Sequence, residues 1–267
     1  MADFSAQDVK ALRDATGAGM MDAKRALVEK DGDFTAAAAW LRERGLGKAA
    51  ERSGRENVEG AIAVAVAGDA AALVELKSET DFVAKSPQFV ALVNELVTAV
   101  AERGEGAVDD RKEAIDDLKL SFKENIELGR VVRFVAAEGD VLDTYLHVQN
   151  GRGVNGILVE LSGGDRELAH DVAIHIAFGR PAYLRREDVP EADVEAERAA
   201  LEAQTRTEGK PEQALAKIVE GKLHGWYKRV PGGVLVDQPF ARDDKKTVGQ
   251  VLGSATVVRF AQAIIGA

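Results

Sequence analysis

The residues with the most distinctive chemistry stand in a polar loop that carries an aromatic side chain. Residues 77–85 read KSETDFVAK, and Phe82 and Val83 are the large apolar members of this stretch. A phenyl ring left in water forgoes about 1.5–3 kcal/mol of burial, so this ring needs a pocket in its own domain or in a partner. Two interpretations stay open: Asp81 caps a turn and Phe82 packs onto the following helix, or the loop contacts another molecule.

Familiar patterns for enzymatic and metal chemistry are incomplete in this chain. It has no cysteine, and its four histidines are scattered; His170 and His175 are five positions apart, which does not match the helical spacing of metal ligands. Residues 17–19 (GAG) follow a predicted helix instead of a strand. Residues 47–49 (GKA) lack the Ser or Thr and the upstream glycine of a phosphate-binding loop. We therefore expect no enzyme that binds nucleotide itself, no bound metal and no cofactor.

Composition and charge limit the classes of partner. The 267 residues are 46% hydrophobic and carry a formal net charge of -10. An acidic chain lacks the basic footprint with which nucleic-acid binding usually begins. No apolar run approaches the roughly 18 residues of a membrane helix, and the first residues are acidic where a signal peptide would be basic. We expect a cytoplasmic protein with a protein or small-molecule partner, and no direct contact with nucleic acid or membrane.

The first 45 residues predict a small helical module. Ser5 and Asp8 have the spacing of a capping box, the next helix extends from about residue 20 to 30, and Asp33 can cap a third. Apolar residues recur at helical spacing in all three segments. Residues 46–57 are rich in Gly, Lys, Arg, Glu and Ser without periodicity, which predicts a solvated linker.

The remainder predicts an α+β core built from a repeated pattern. Two β-prone pairs of segments, at 61–67 with 71–76 and at 141–148 with 157–161, are each followed by an amphipathic helix, and LVEL occurs at 73–76 and 158–161. We expect two related strand-strand-helix subdomains with antiparallel sheets, over residues 58–140 and 141–267. A helical stretch at 111–128 would join them. The charged segment 191–228 predicts a projecting helical hairpin.

Two long segments resemble signatures of the bacterial elongation factor Ts family. Residues 12–27 (LRDATGAGMMDAKRAL) are similar to the family's N-terminal signature, and residues 79–85 (ETDFVAK) resemble its central motif. Shorter similarities follow in order along nearly the whole chain: EGDV at 138–141, GKP at 209–211, IVEG at 218–221, QPF at 238–240 and KTVG at 246–249. The resemblance implies a three-helix, UBA-like N-terminal module and a guanine-nucleotide exchange factor for the GTPase elongation factor Tu.

The resemblance also implies how the central motif acts. Thr80, Asp81, Phe82 and Val83 would enter the GTPase near its bound magnesium, with Phe82 wedged between helices and Asp81 disturbing the network that holds the ion. A displaced cation leaves phosphate charge uncompensated, which weakens nucleotide binding. No covalent chemistry is needed.

Further partner contacts are implied by the resemblance, each beside a plainer alternative. Arg13, Met20, Met21 and Lys24 would dock on the nucleotide-binding domain of the GTPase; alternatively, the two methionines pack inside the helical module. Ile126 would lie beside the wedge, or in the core. His147 would contact the partner, or be an ordinary exposed strand residue. A noncatalytic adaptor or a homodimeric interaction protein with the same surfaces is the alternative to an exchange factor.

Overall fold

The structure, a computed structural model, describes residues 4–266 and, within them, every side chain except that of Leu46. The chain begins with three helices: α1 (Ala6–Thr16), α2 (Met20–Glu29) and α3 (Phe34–Ala50). Ser5 and Asp8 form the predicted capping box, and Asp33 caps α3 by accepting a hydrogen bond from the Ala36 N–H. The helices enclose a small core of buried residues: Val9, Leu12, Ala23, Ala26, Leu27, Ala37 and Leu41.

The third helix continues five residues into the segment predicted as a linker. Residues 46–50 are helical, and the chain turns only after Ala50. A surface for this last turn comes from α6 (Lys112–Phe122), whose Leu120 lies so close to Gly45 that a Cβ on the glycine would meet Leu120 Cδ2 at 2.4 Å. Arg52 also donates a hydrogen bond to the carbonyl of Lys119. Tertiary packing therefore overrides the weak local periodicity here.

The next elements form the first half of the α+β core. They are β1 (Glu59–Ala67), β2 (Ala70–Ser78), α4 (Asp81–Ala84), α5 (Pro87–Arg103), α6 and β3 (Ile126–Val135). Strands β1 and β2 form a hairpin in full register from Glu59↔Ser78 to Ala67↔Ala70, and β3 pairs antiparallel with β2. The helical stretch predicted for 111–128 ends at Phe122, because residues 126–135 extend the sheet instead.

The second half repeats the arrangement and adds the hairpin and a last strand. Its elements are β4 (Asp140–Gln149), β5 (Arg152–Ser162), α7 (Arg166–Gly179), α8 (Glu191–Thr207), α9 (Glu212–Tyr227), β6 (Pro239–Phe240), β7 (Asp243–Thr247), α10 (Val248–Leu252) and β8 (Thr256–Ile264). Strand β5 pairs antiparallel with both β4 and β8. Helices α8 and α9 form the expected hairpin, with Leu215, Val219 and Leu223 buried along one face of α9.

The two halves pack through the inner faces of their sheets. Alternate residues of β1 and β2 face α5, whereas Ile62 and Leu73 join Leu158 of β5 and Ala261 and Ala263 of β8 in a separate buried cluster. Residues Ile157, Val159 and Leu161 of β5 face α7 on the other side. Hydrogen bonds link five strands in the order β3-β2-β1-β5-β4, and β8 pairs with β5, whereas β6 and β7 form a separate two-stranded sheet. The two halves of the core are linked in the ladder at a single pair, Ile62↔Gly153. The α+β prediction is confirmed.

Candidate functional site

The phenyl ring of Phe82 lies in solvent at the start of a very short helix. Phe82 is 79% exposed, while the next two residues of α4, Val83 and Ala84, are buried in the core beneath α5. The ring does not pack onto the following helix, so the interpretation in which Phe82 fastens this turn is wrong. The protein therefore presents an unburied aromatic side chain on a segment whose other face is fixed in the core.

Thr80 holds the start of this segment through three hydrogen bonds. Its Oγ1 accepts from the Val83 N–H (3.3 Å) and donates to Glu124 Oε1 (2.6 Å), and its backbone N–H donates to Glu124 Oε2 (3.1 Å). Thr80, and not Asp81, is therefore the residue that caps the turn. Glu124 lies just after α6, so the loop is connected to a segment 44 residues away in the chain.

The carboxylate of Asp81 is exposed and pairs with Lys85 one helical turn later. The hydrogen bond and charge of Lys85 lower the pKa of Asp81, and the charge of Arg152 lowers it further. Asp81 is therefore ionised at neutral pH. Because ion pairs on the surface are weak, another cation or hydrogen-bond donor can replace Lys85 at little cost.

Two residues assigned to the partner surface by resemblance lie in the core. Val83 is 2% exposed, and Ile126 is fully buried at the first position of β3, paired in register with Ser78 of β2. Both belong to the apolar cluster beneath α5. The structure corrects their expected exposure: in this conformation they support the loop from inside, and their side chains do not form its surface.

The N-terminal candidates share an exposed surface where α1 passes into α2. Met20 and Met21 are 45% and 69% exposed, which excludes the alternative that they fill the module's core. Lys24 follows them by four and three positions, so the three side chains lie on one face of α2. Arg13, in the last turn of α1, is exposed and pairs with Asp14 at 3.2 Å. All four residues are exposed, three of them on α2 and Arg13 in the last turn of α1.

His147 lies near the tip of the β4–β5 hairpin. It is exposed, pairs with Asn155 of β5, and precedes a register shift at Val148. Asn150 and Gly151 both have positive φ angles (54° and 80°), as a two-residue type I′ turn requires. Directly after the turn, Arg152 donates a 2.6 Å hydrogen bond to Glu59 of β1, and its charge lowers the pKa of Asp81.

The structure adds residues that sequence reasoning did not identify. Lys85 pairs with Asp81, Glu124 binds Thr80, and Glu79 accepts the N–H of Asn125 at 2.6 Å. The i, i+4 spacing of Asp81 and Lys85 was a detectable signal. Glu124 and Asn125 carried none, because their link to the loop depends on the β2–β3 pairing.

The described part of the chain shows neither a candidate metal site nor a candidate membrane span. Residues 4–266 contain no group of three or more His, Asp or Glu side chains arranged to hold a metal ion. Within the same residues, no helix is both long and apolar enough to cross a lipid bilayer.

Comparison with known proteins identifies the family. The family described as "Elongation factor TS" matches residues 79–267. The chain is similar over its full length to proteins named Elongation factor Ts: 43% identical to that of Clavibacter michiganensis subsp. michiganensis and covering all of it, 46% identical to that of Mycolicibacterium gilvum over 99% of that protein, and 42% identical to that of Micrococcus luteus over all of it.

This α+β chain with an N-terminal helical module therefore belongs, by the family that it matches, to the translation elongation factors as a class. The chain belongs to the elongation factor Ts family. The resemblance noted for residues 12–27 and 79–85 is confirmed.

Proposed function

We propose that this protein is the nucleotide exchange factor for elongation factor Tu, acting in the cytoplasm through the loop at residues 80–82. The observation that carries the proposal is the exposed ring of Phe82 on a segment anchored by buried Val83. An aromatic side chain presented from a fixed base fits a recess in a partner at little entropic cost, because it is already ordered before binding.

The proposed mechanism acts on the metal of the partner. The ring of Phe82 enters between helices of the GTPase, and Asp81 exchanges Lys85 for partners in the network around the magnesium ion. Support comes from the ionised state and exposure of the Asp81 carboxylate. The cation bridges the phosphates of GDP to the GTPase, so its loss weakens GDP binding, and each 1.4 kcal/mol lost is about tenfold in the dissociation constant.

A second contact gives the complex its initial affinity. The exposed face formed by Arg13, Met20, Met21 and Lys24 docks on the nucleotide-binding domain of the GTPase. Methionine side chains adapt to irregular apolar surfaces, and the two flanking cations fix orientation. His147, exposed on the β4–β5 hairpin, provides a further contact. Binding therefore involves the helical module and both halves of the core.

Exchange requires that the effects of the factor and of GDP be reciprocal. Whatever factor binding removes from GDP affinity, GDP binding removes from factor affinity. The factor therefore leaves when a nucleotide rebinds and acts on many GTPase molecules. No covalent step is involved, so the protein is not an enzyme in the usual sense.

Release of a fluorescent GDP analogue from elongation factor Tu tests this proposal by stopped flow. The wild-type protein is expected to accelerate release, and Phe82→Ala is expected to lose most of the acceleration while keeping its fold. Phe178→Ala is the matched control, because Phe178 is a 63% exposed phenylalanine on α7, outside the proposed surfaces. An equal loss in both variants would count against a specific role for Phe82.

The same experiment distinguishes the adaptor interpretation. A protein that forms a complex with elongation factor Tu, measured by titration calorimetry, but leaves GDP release unchanged is a noncatalytic adaptor. A protein that binds only a second copy of itself in sedimentation is a homodimeric interaction protein. Either result would overturn the exchange-factor proposal.

A further inference from the structure

The position of Phe82 depends on the contacts of its neighbours in the chain and not on its own side chain. Helix α4 has four residues, far fewer than the about 12–15 that an isolated helix needs even for marginal stability in water. Because the ring is 79% exposed, it contributes little packing to hold the segment in place. Contacts on either side of the ring must therefore fix its location: Val83 in the core on one side and Thr80 on the other.

On the Thr80 side, residues 79–80 and residues 124–125 exchange hydrogen bonds. Glu124 accepts both donors of Thr80, one on each carboxylate oxygen, and Glu79 accepts the backbone N–H of Asn125 at 2.6 Å. Residues 79–80 thus bind residues 124–125 in both directions. We name these four residues, 79, 80, 124 and 125, the clasp; they lie directly beyond the last pair of the β2–β3 ladder, Ser78↔Ile126, and are joined by hydrogen bonds to carboxylate side chains.

Glu124 also orients the hydroxyl group of Thr80. The Oγ1 proton points to Glu124 Oε1, which leaves the lone pairs of Oγ1 to accept the Val83 N–H. Hydrogen bonds to an ionised acceptor are stronger than neutral ones, and linked bonds reinforce each other. The cap of α4 therefore depends on a carboxylate that belongs to a different part of the chain.

We propose that Glu124 is a positioning residue for nucleotide exchange: through its two hydrogen bonds to Thr80 it fixes the loop that presents Phe82 to the GTPase. The inference rests on the proposed exchange function and extends it to a residue outside the 80–83 loop. Glu124 acts through Thr80 and needs no contact with the partner.

Glu124→Gln is the informative substitution. Glutamine is nearly the same size but uncharged: its amide oxygen accepts only one Thr80 donor, and its NH₂ group can only donate to Oγ1, so the Thr80 hydroxyl proton loses its acceptor and both charge-assisted bonds are lost. Glu102→Gln is the matched control: Glu102 is exposed on α5, and its replacement changes the net charge of the protein by the same amount.

Saturation kinetics of GDP release separate positioning from docking. We expect Glu124→Gln to lower the maximal release rate about tenfold, equivalent to ~1.4 kcal/mol. The half-saturating concentration should stay within about twofold, because the N-terminal face that docks first is unchanged. Glu102→Gln should match the wild type in both quantities. Thr80→Val removes the hydroxyl bond and keeps the backbone bond to Glu124, so in that background Glu124→Gln should slow release by a smaller factor than it does in the wild type, since interactions through one shared partner are not additive.

Amide hydrogen exchange gives a readout that does not depend on nucleotide release. The Val83 amide, capped by Thr80, should exchange about tenfold faster in Glu124→Gln, while the Phe89 amide, capped in the same way by Ser86, stays unchanged. Unaltered protection of the Val83 amide in Glu124→Gln would overturn the positioning role. So would a maximal release rate for Glu124→Gln equal to that of a wild type that accelerates release. If the wild type fails to accelerate release, the exchange proposal falls instead, and faster Val83 exchange still establishes the clasp.

Discussion

At the scale of single residues, His175 has its protonation state fixed by its neighbours. Its Nδ1 accepts the Ala241 N–H at 3.1 Å, so the ring proton lies on Nε2, which donates to Gln238 Oε1 at 3.0 Å. The ring stacks on Phe240 with 5.8 Å between centroids and is fully buried. Burial lowers the pKa of His175 below its usual value. The ring is therefore neutral in the folded protein at neutral pH.

This arrangement predicts a loss of stability on mild acidification. The unfolded chain binds a proton at His175 as the pH falls below about 6.5, whereas the folded protein does so only at lower pH. The contribution of His175 is therefore complete above about pH 6.5 and declines below it. Urea unfolding at about pH 7.5 and pH 5.8 should show the loss in the wild type.

The variant His175→Gln isolates this contribution, because glutamine does not titrate. Its unfolding free energy should change less between the two pH values than that of the wild type. His147→Gln, at an exposed position, should retain the wild-type pH dependence. An identical pH dependence in all three proteins would assign the acid loss to other groups.

At the scale of elements, the four-residue helix α4 exposes the side chain of Phe82 and buries that of Val83. Its Val83 side lies in the core with Phe89 and Leu96 of α5, and its Phe82 side lies in solvent. The sequence left the same two alternatives open for both residues, a pocket in their own domain or a pocket in a partner, since both are apolar and stand in a polar loop. Only the packing beneath α5 distinguishes them, and that packing brings together segments that no local pattern links.

The difference in burial between Val83 and Phe82 predicts different effects when each residue is replaced by alanine. Val83→Ala removes buried methyl groups and should cost about 1–3 kcal/mol of unfolding free energy, with slower nucleotide release because the base of the loop loosens. Phe82→Ala should change the unfolding free energy by less than about 0.5 kcal/mol and affect release alone. Denaturant unfolding of both variants checks this. Equal destabilisation would mean that the ring is buried in solution.

Elements with strong local patterns could be predicted from the sequence, and edge elements could not. The strands of the β1–β2 hairpin were predicted to within a few residues, and an amphipathic helix was predicted to follow them, because apolar periodicity is a local pattern. The first three residues of β3 were predicted as the end of the helical stretch at 111–128, and no strand was predicted in the residues that follow. Its charged residues, including Arg130 and Arg133, suit the edge of a sheet, and only pairing with β2 makes the segment a strand.

At the scale of the whole molecule, the halves of the core are joined by close contact between sheets. Gly156 of β5 lies against β1 and β2 so tightly that a Cβ would stand 2.5 Å from Ile62 Cγ2 and 3.2 Å from Leu73 Cδ1. Arg259 of β8 adds a polar link, with its guanidinium 4.3 Å from the Phe134 ring and a hydrogen bond to the Val135 carbonyl. The sequence predicted two similar halves but carried no signal for the joining pair Ile62↔Gly153 or for β8.

Gly156→Ala tests this contact between the halves. The added methyl group must displace Ile62, so we expect a loss of about 1–3 kcal/mol in unfolding free energy. Gly221→Ala is the matched control, since Gly221 lies inside α9 with no atom near its missing Cβ, and alanine there should stabilise by up to about 1 kcal/mol. Urea unfolding compares the two. A harmless Gly156→Ala would show that the sheets are farther apart in solution.

The order of the strands along the chain also determines which apolar surface stays uncovered while the protein is being synthesised. Strands β1, β2 and β3 and helix α5 are complete by Val135, but the inner face of their sheet, with Ile62, Leu73 and Phe134, is covered only by β5 and β8. At roughly 5–20 residues per second, the ribosome needs on the order of ten seconds to make the remaining strands. During that interval the nascent first half carries an uncovered apolar sheet face, a feature that favours aggregation.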